Sequence, residues 1–263
     1  MKKPRVLLTG AAGRLGSVIN NDLSGVWDIL PSTRRGEKGT VKCDILSEKD
    51  REGLLGEDFD MVVNTAAVSS PSCCADRPAE SWILNTVWPR LLAQYCGSNN
   101  IPFVHFSTDL VYSGGNPPYR ETSPAVPKSF YGWTKLVADI LIQKACPDAL
   151  IVRTSVLCGE TSSNRTTFSQ DVLSGRVNTV YVDSWRNHTP IHWLAGILPE
   201  LVSEGKSGLV IASGKYSHSR SAYAEALLRK HGKSEEYLIQ EYAPPGIPAR
   251  LNLMGEYYTS SIY

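Results

Sequence analysis

Through residue 155 the chain alternates short apolar runs with longer stretches whose apolar residues recur at helical spacing. Arg5–Thr9 reads as a buried strand, and residues 27–32, 41–45, 60–65, 102–107 and 149–154 repeat that character. Residues 15–23, 79–99 and 131–144 carry the helical pattern between them. Near-continuous apolar strands separated by helices predict a parallel sheet covered on both faces, a Rossmann-like doubly wound α/β fold. The pattern then thins. Residues 166–174, 191–203 and 219–231 read as helices, 178–183 and 208–212 as extended, and Pro244, Pro245 and Pro248 interrupt the chain before 250–253. The expected organisation is a dinucleotide-binding domain over residues 1–155 and a smaller substrate-binding lobe over 156–263, whose segments can interleave.

The first strand runs into Gly10-Ala11-Ala12-Gly13-Arg14-Leu15-Gly16 at the start of the first helix. Gly10 suits a tight turn, Gly13 a close approach of backbone to a pyrophosphate, and Gly16 close packing of helix on strand. The amides at the start of the helix, around Arg14 and Leu15, then face the phosphates. At the end of the second strand stand Ser32-Thr33-Arg34-Arg35, without the carboxylate that holds a ribose 2′-hydroxyl in NAD enzymes. Arg14, Arg34 and Arg35 are expected to clamp a 2′-phosphate, so NADP is the expected cofactor and NAD the alternative. Asp44 and Ile45 are expected at the adenine, and the small residues after the fourth strand, Thr65, Ala66 and Ala67, beside the cofactor.

Tyr131 and Lys135 are spaced i, i+4 and share one face of a helix. An ammonium beside a phenol would stabilise the phenolate and make the tyrosine a proton donor nearer neutral pH. Thr108 ends the fifth strand, where a hydroxyl can bond a substrate carbonyl. Thr108, Tyr131 and Lys135 are therefore the expected catalytic set for carbonyl reduction, with hydride from a nicotinamide.

Composition narrows the class without changing it. The formal net charge is +1 and the basic residues are scattered, which gives no footprint for nucleic acid. No apolar run approaches the roughly 20 residues of a membrane helix, and the short apolar start lacks the shape of a signal peptide. A cytoplasmic location is expected. The six cysteines show no metal-ligand or redox spacing, and no metal site is expected.

Three strings together, Thr9-Gly10 through Gly16, Ser107-Thr108-Asp109-Leu110-Val111-Tyr112 and Tyr131-Gly132-Trp133-Thr134-Lys135, resemble the extended short-chain dehydrogenase/reductase superfamily. Within it the chain most resembles the dTDP-4-dehydrorhamnose reductase family, through Leu84-Asn85-Thr86, Asn116-Pro117-Pro118-Tyr119-Arg120-Glu121 and Val152-Arg153-Thr154-Ser155 as well. The resemblance implies that Thr108, Tyr131 and Lys135 are catalytic. It also implies an NADPH-dependent reduction of a nucleotide-linked 4-keto-6-deoxysugar. It departs at Val156, where the family carries an aromatic residue, and in the stretch 183–190, which matches loosely. Substrate contacts are expected from Ser69, Asp109 and Ser155, and from a loop carrying Trp185, Arg186 and His188, suited to stacking and to pairing with a diphosphate. The same family includes the regulatory beta subunit of methionine adenosyltransferase, so a cofactor-binding subunit without turnover is one alternative. A nucleotide-sugar epimerase or dehydratase is the other, although Leu110 stands where a dehydratase would complete an acidic pair with Asp109. The expected partner is a small molecule, with a homodimer as one arrangement of the chain.

Overall fold

The computed structural model describes residues 2–259; residue 1 and residues 260–263, the last of the expected second lobe, lie outside it. Six strands come from the first part of the chain: β1 (Arg5–Thr9), β2 (Asp28–Thr33), β3 (Val41–Lys42), β4 (Met61–Asn64), β5 (Phe103–Thr108) and β6 (Leu150–Thr154). Eight follow: β7 (Val156–Cys158), β8 (Thr179–Tyr181), β9 (Trp185–Pro190), β10 (Gly208–Gly214), β11 (Ser217–Ser219), β12 (Ile239–Glu241), β13 (Arg250–Leu251) and β14 (Tyr257–Thr259). The large sheet has eight strands in the order β14-β10-β6-β5-β4-β1-β2-β3. Every adjacent pair in it is parallel, and β1, β4, β5 and β6 are buried along almost their whole length, as strands covered on both faces must be. This is the Rossmann-like α/β architecture.

The helices are α1 (Arg14–Asp22), α2 (Glu48–Leu55), α3 (Pro71–Asp76), α4 (Pro78–Trp82), α5 (Trp88–Asn99), α6 (Phe130–Ala145), α7 (Phe168–Leu173), α8 (Ile191–Gly196), α9 (Leu198–Ser203) and α10 (Arg220–Lys230). One apolar layer joins the sheet to α1, α8 and α9 through Val18, Ile19, Leu194 and Leu198; the other joins it to α5 and α6 through Trp88, Leu92, Ala138 and Ile142. The expected helix over 79–99 is continuous but contains a π-turn at Ile83–Val87. Pro89 has no N–H to return to the preceding turn, which accounts for the local loosening.

The later part of the chain feeds both bodies. β10 and β14 extend the large sheet beyond β6, whereas β11, β9 and β13 form a small sheet to which β7 is added through β9. β8 and β12 make a further pair beside α7 and α10. Trp185–Pro190, expected as a loop, is β9, the middle strand of the small sheet. Its polar residues are held by side-chain bonds in place of apolar packing: Asn187 Nδ2 donates to Gly214 O at 2.7 Å, and Asn187 Oδ1 accepts from Leu253 N at 2.8 Å. The third strand also ends sooner than expected, at Lys42, because Asp44 turns the chain by accepting from Leu46 N.

Candidate active site

The strand order reverses between β1 and β4, which opens a crevice at the carboxyl ends of these strands. Gly10 follows β1 with φ +77°, and a Cβ there would stand 2.6 Å from Ala66 N. A Cβ on Gly16 would meet Gly10 O at 2.2 Å and Thr65 Oγ1 at 2.8 Å. The two glycines thus let the turn, the helix and the end of β4 close on one another, and Thr65 Oγ1 ties them by donating to Thr9 O at 2.8 Å. No side chain caps the N-terminus of α1, which begins after Gly13, so its first amides remain free for an anion. Leu15 is buried in the core and Ala67 is half-buried at the rim. This backbone fits a dinucleotide pyrophosphate.

The catalytic residues converge at the neighbouring strand end. Thr108 terminates β5 and Tyr131 and Lys135 lie in the first turns of α6, which Ser129 caps by accepting from Gly132 N. The Thr108 hydroxyl stands beside the Tyr131 phenol; it donates to Asp109 Oδ1 at 3.3 Å and accepts from Leu110 N at 3.2 Å. Gly132 brings α6 this close: a Cβ there would be 2.3 Å from Leu110 O. Asn85 and Thr86, on the π-turn, hold the same helix: Asn85 Nδ2 donates to Thr134 Oγ1 at 3.1 Å, and Thr86 Oγ1 to Thr134 O at 2.8 Å.

Lys135 departs from expectation. Its Nζ reaches inward to Phe106 O at 2.7 Å and His105 Nε2 at 2.8 Å. A polar row crosses the sheet behind it, since Asn64 Nδ2 meets His105 Nδ1 at 3.0 Å while Asn64 Oδ1 accepts from Thr9 Oγ1 and Ala66 N. Those two donors fix the amide's orientation, so His105 Nδ1 accepts and its proton sits on Nε2, where the lysine nitrogen can accept it only as the neutral amine. Burial pushes Lys135 down to about 8, and burial followed by the lysine's charge pushes His105 well below the usual range. The Tyr131 phenol is pushed up, chiefly by burial, and the neighbouring Thr108 hydroxyl only partly offsets this. The shared helical face therefore does not by itself produce the expected ammonium–phenolate coupling, because the long lysine side chain turns toward the strand instead of along the helix.

Two buried carboxylates complete the surroundings. Asp139, one turn beyond Lys135, accepts from Ser107 Oγ at 2.8 Å and from Arg153 Nε and Nη2 at 3.1 and 2.9 Å. Asp109 accepts from Ser155 Oγ at 2.5 Å and from Arg186 Nε and Nη2 at 2.6 and 2.5 Å. Thus Asp109, Ser155 and Arg186, expected at the substrate, come together beside Thr108. His188 lies two residues along β9 with its ring flat on Tyr223, at 3.7 Å. Trp185, at the start of the strand, lies under Arg250, whose guanidinium carbon is 5.8 Å from the ring.

The expected arginine clamp is divided. Arg34 pairs with Asp44 at 3.3 Å and approaches Glu80 at 3.8 Å; Arg35 is exposed beside it; Ile45 packs against the core under α5. Arg14 is elsewhere. Its Nε donates to Thr166 O at 2.5 Å and its Nη1 to Ser69 Oγ at 3.4 Å, so it spans from the glycine turn to the segment before α7. Being the first residue of α1, it projects from the helix toward the crevice mouth, while Arg34 and Arg35 stand at the end of β2. Arg220, which the sequence does not single out, also enters this junction. A residue that follows Ser219, the cap of α10, reads as an ordinary first-turn cation.

No helix among the described residues is long and apolar enough to cross a membrane, and no group of three or more potential metal ligands is found among them.

A parallel sheet with a glycine turn at its switch point and a threonine–tyrosine–lysine cluster at the next strand end defines a protein of the extended short-chain dehydrogenase/reductase class. The chain belongs to the RmlD substrate binding domain family, whose model matches residues 4–247. It is 30% identical over 210 residues to dTDP-4-dehydrorhamnose reductase of Streptomyces griseus, covering 79% of this chain and 67% of that one. It is 33% identical over 164 residues to methionine adenosyltransferase 2 subunit beta of Danio rerio, covering 59% of this chain and 49% of that one. Among solved structures, dTDP-4-dehydrorhamnose reductase from Bacillus anthracis in complex with NADP shares the fold with a TM-score of 0.83 at 20% identity, over 96% of this chain and 89% of that one.

Proposed function

We propose that this protein uses NADPH to reduce the keto group of a nucleotide-linked 4-keto-6-deoxysugar, as the reductases of its family do. The observation that carries this reading is the meeting of Thr108 and Tyr131 beside the glycine-turn crevice, with Lys135 one turn behind on the same helix. When bound, NADPH supplies the hydride. Gly10, Gly13 and Gly16 and the first amides of α1 would hold its pyrophosphate, Thr65, Ala66 and Ala67 would border it, and Arg34 and Arg35, with Asp44 and Ile45, would lie at the adenosine end. Tyr131 donates the proton to the carbonyl oxygen that receives the negative charge, and Thr108 donates a hydrogen bond to the same oxygen. The phenol's burial keeps it protonated until that charge develops. Lys135 and His105 hold the floor of the site behind Tyr131. Ser69, Asp109 and Ser155 border the sugar, and β9, with Trp185, Arg186 and His188, closes the smaller lobe over it. The six free cysteines fit a reducing cytoplasm.

The likeness to the methionine adenosyltransferase subunit supports a second reading, a cofactor-binding subunit that acts through another protein. The complete proton-donating set favours turnover. Incubation with NADPH and a panel of dTDP-, UDP- and GDP-linked 4-keto sugars, followed at the nicotinamide absorbance, should show oxidation with at least one of them. Tight NADPH binding with no oxidation across the panel would overturn the enzyme reading.

A further inference from the structure

Charge does not balance where the small sheet meets the large one. Asp109 brings one buried carboxylate to this junction, and both its oxygens accept from Arg186. Arg220, the first residue of α10, brings a second guanidinium. Its Nε is buried without a hydrogen-bond partner, and it forms no ion pair among the described residues. Its guanidinium carbon lies 5.4 Å from the centre of the Phe168 ring and 6.0 Å from that of Tyr181. Burial, and next the charge of Arg186, push it down to about 10, while Tyr181 and Asp109 act in the opposite direction. From the glycine turn, Arg14 reaches Thr166, two residues before Phe168, and donates there only to neutral oxygens. A largely buried cation whose nearby carboxylate, Asp109, is already engaged through both oxygens by Arg186 is costly unless an anion arrives, and a guanidinium fork matches phosphate oxygens in pairs.

We infer that Arg220 anchors a phosphate subsite for the diphosphate linker of the substrate, beside the Phe168 and Tyr181 rings, while Arg186 is held by Asp109 as the wall of that subsite. This rests on the nucleotide-sugar reading above. It moves the diphosphate contact expected of Arg186 to a residue with an uncommitted Nε. Arg186 bonded through both Nε and Nη2 to one carboxylate presents little of its fork to a ligand, whereas Arg220 retains an edge and full charge. The flanking rings hold its side chain in place.

The test titrates NADPH-loaded protein with dTDP, dTMP, thymidine and inorganic pyrophosphate by calorimetry, in the parent and in Arg220→Ala and Arg220→Lys. The inference expects dTDP to bind the parent more tightly than dTMP, and thymidine most weakly. Arg220→Ala should weaken dTDP and pyrophosphate about 10- to 100-fold, as loss of a charged hydrogen-bonding partner does. Thymidine and NADPH affinity should stay within about twofold, as expected of sites that lack this contact. Arg220→Lys, which keeps charge and fold, should recover part of the loss. Unchanged dTDP affinity in both variants would overturn the inference, as would equal weakening of thymidine and dTDP, which would mark a merely structural residue. Failure of the parent to bind dTDP or pyrophosphate would also overturn it. If dTDP binding depends on Arg220 but no 4-keto sugar is reduced, the subsite stands and the reductase reading falls. If reduction proceeds with unaltered KM in both variants, the reverse holds.

Discussion

Asp139 and Asp109 are both buried carboxylates paired with arginine close to the catalytic residues, yet they sit in different kinds of surroundings. Asp139 pairs with Arg153 where a helix packs on the large sheet: the carboxylate is on α6, the guanidinium on β6, and Ser107 and Tyr112 supply further bonds from the β5 side. Asp109 pairs with Arg186 across 77 residues of sequence, from the end of β5 to the small sheet. The first pair locks the catalytic helix onto the sheet. The second joins the catalytic strand end to the smaller lobe, near Arg220, which forms no ion pair of its own among the described residues. A buried ion pair is thus used once as a fastener and once as part of a binding surface, and the two should respond differently to the same truncation.

Arg153→Met should cost about 3–5 kcal/mol of stability, because it strands Asp139 in the interior. Thermal or urea unfolding would read this directly. Arg186→Met should cost less, because it also removes the repulsion between the Arg186 and Arg220 charges, but it should raise KM for a nucleotide sugar severalfold by letting β9 shift. Equal unfolding penalties for the two variants would erase the distinction between them.

A smaller effect concerns the adenosine end. Replacing both Arg34 and Arg35 with Ala should weaken NADPH about tenfold relative to NADH, roughly the value of one charged hydrogen bond. Arg34 is already shared with Asp44 and Glu80, which is why the effect is not larger. Competitive titration of both cofactors would measure it, and an unchanged ratio would remove these arginines from cofactor selection.

The pH profile gives a further, gentler contrast. Burial lowers Lys135 to about 8, so its ammonium is present below that pH and is lost as pH rises through it. If the charged form supports proton delivery, kcat/KM should be level near pH 7 and decline above about 8. His105→Asn, which removes the group facing Nζ, should move that decline to higher pH. A profile level to pH 10 would separate Lys135 ionisation from turnover.

The two halves of the molecule were unequally legible for a physical reason. The glycine turn, the apolar strands β1, β4, β5 and β6, and the tyrosine and lysine on α6 are dictated by backbone geometry and by burial on both faces, and such constraints leave periodic marks. β9 is buried too, but Asn187 and Arg186 satisfy it through long-range side-chain bonds that no local pattern records. α2 is a polar helix with Leu54 alone fully buried, and β14 exposes Tyr258, so neither carries a clear period. Within the candidate site, spacing placed Tyr131 and Lys135 on one helix face but could not say which way the lysine turns. It could not show that Arg14 reaches Thr166 across the crevice, or that Asp109 is already occupied by Arg186. Arg220 is the extreme case, since its significance lies wholly in what surrounds it.

The central claim is that Tyr131 delivers the proton in a carbonyl reduction. The most direct measurement compares parent and Tyr131→Phe protein for NADPH oxidation by whichever nucleotide 4-keto sugar the parent reduces, together with NADPH affinity by fluorescence titration. The account predicts a fall in kcat of about 10²–10⁴ with NADPH affinity nearly unchanged. Full turnover by Tyr131→Phe would contradict it.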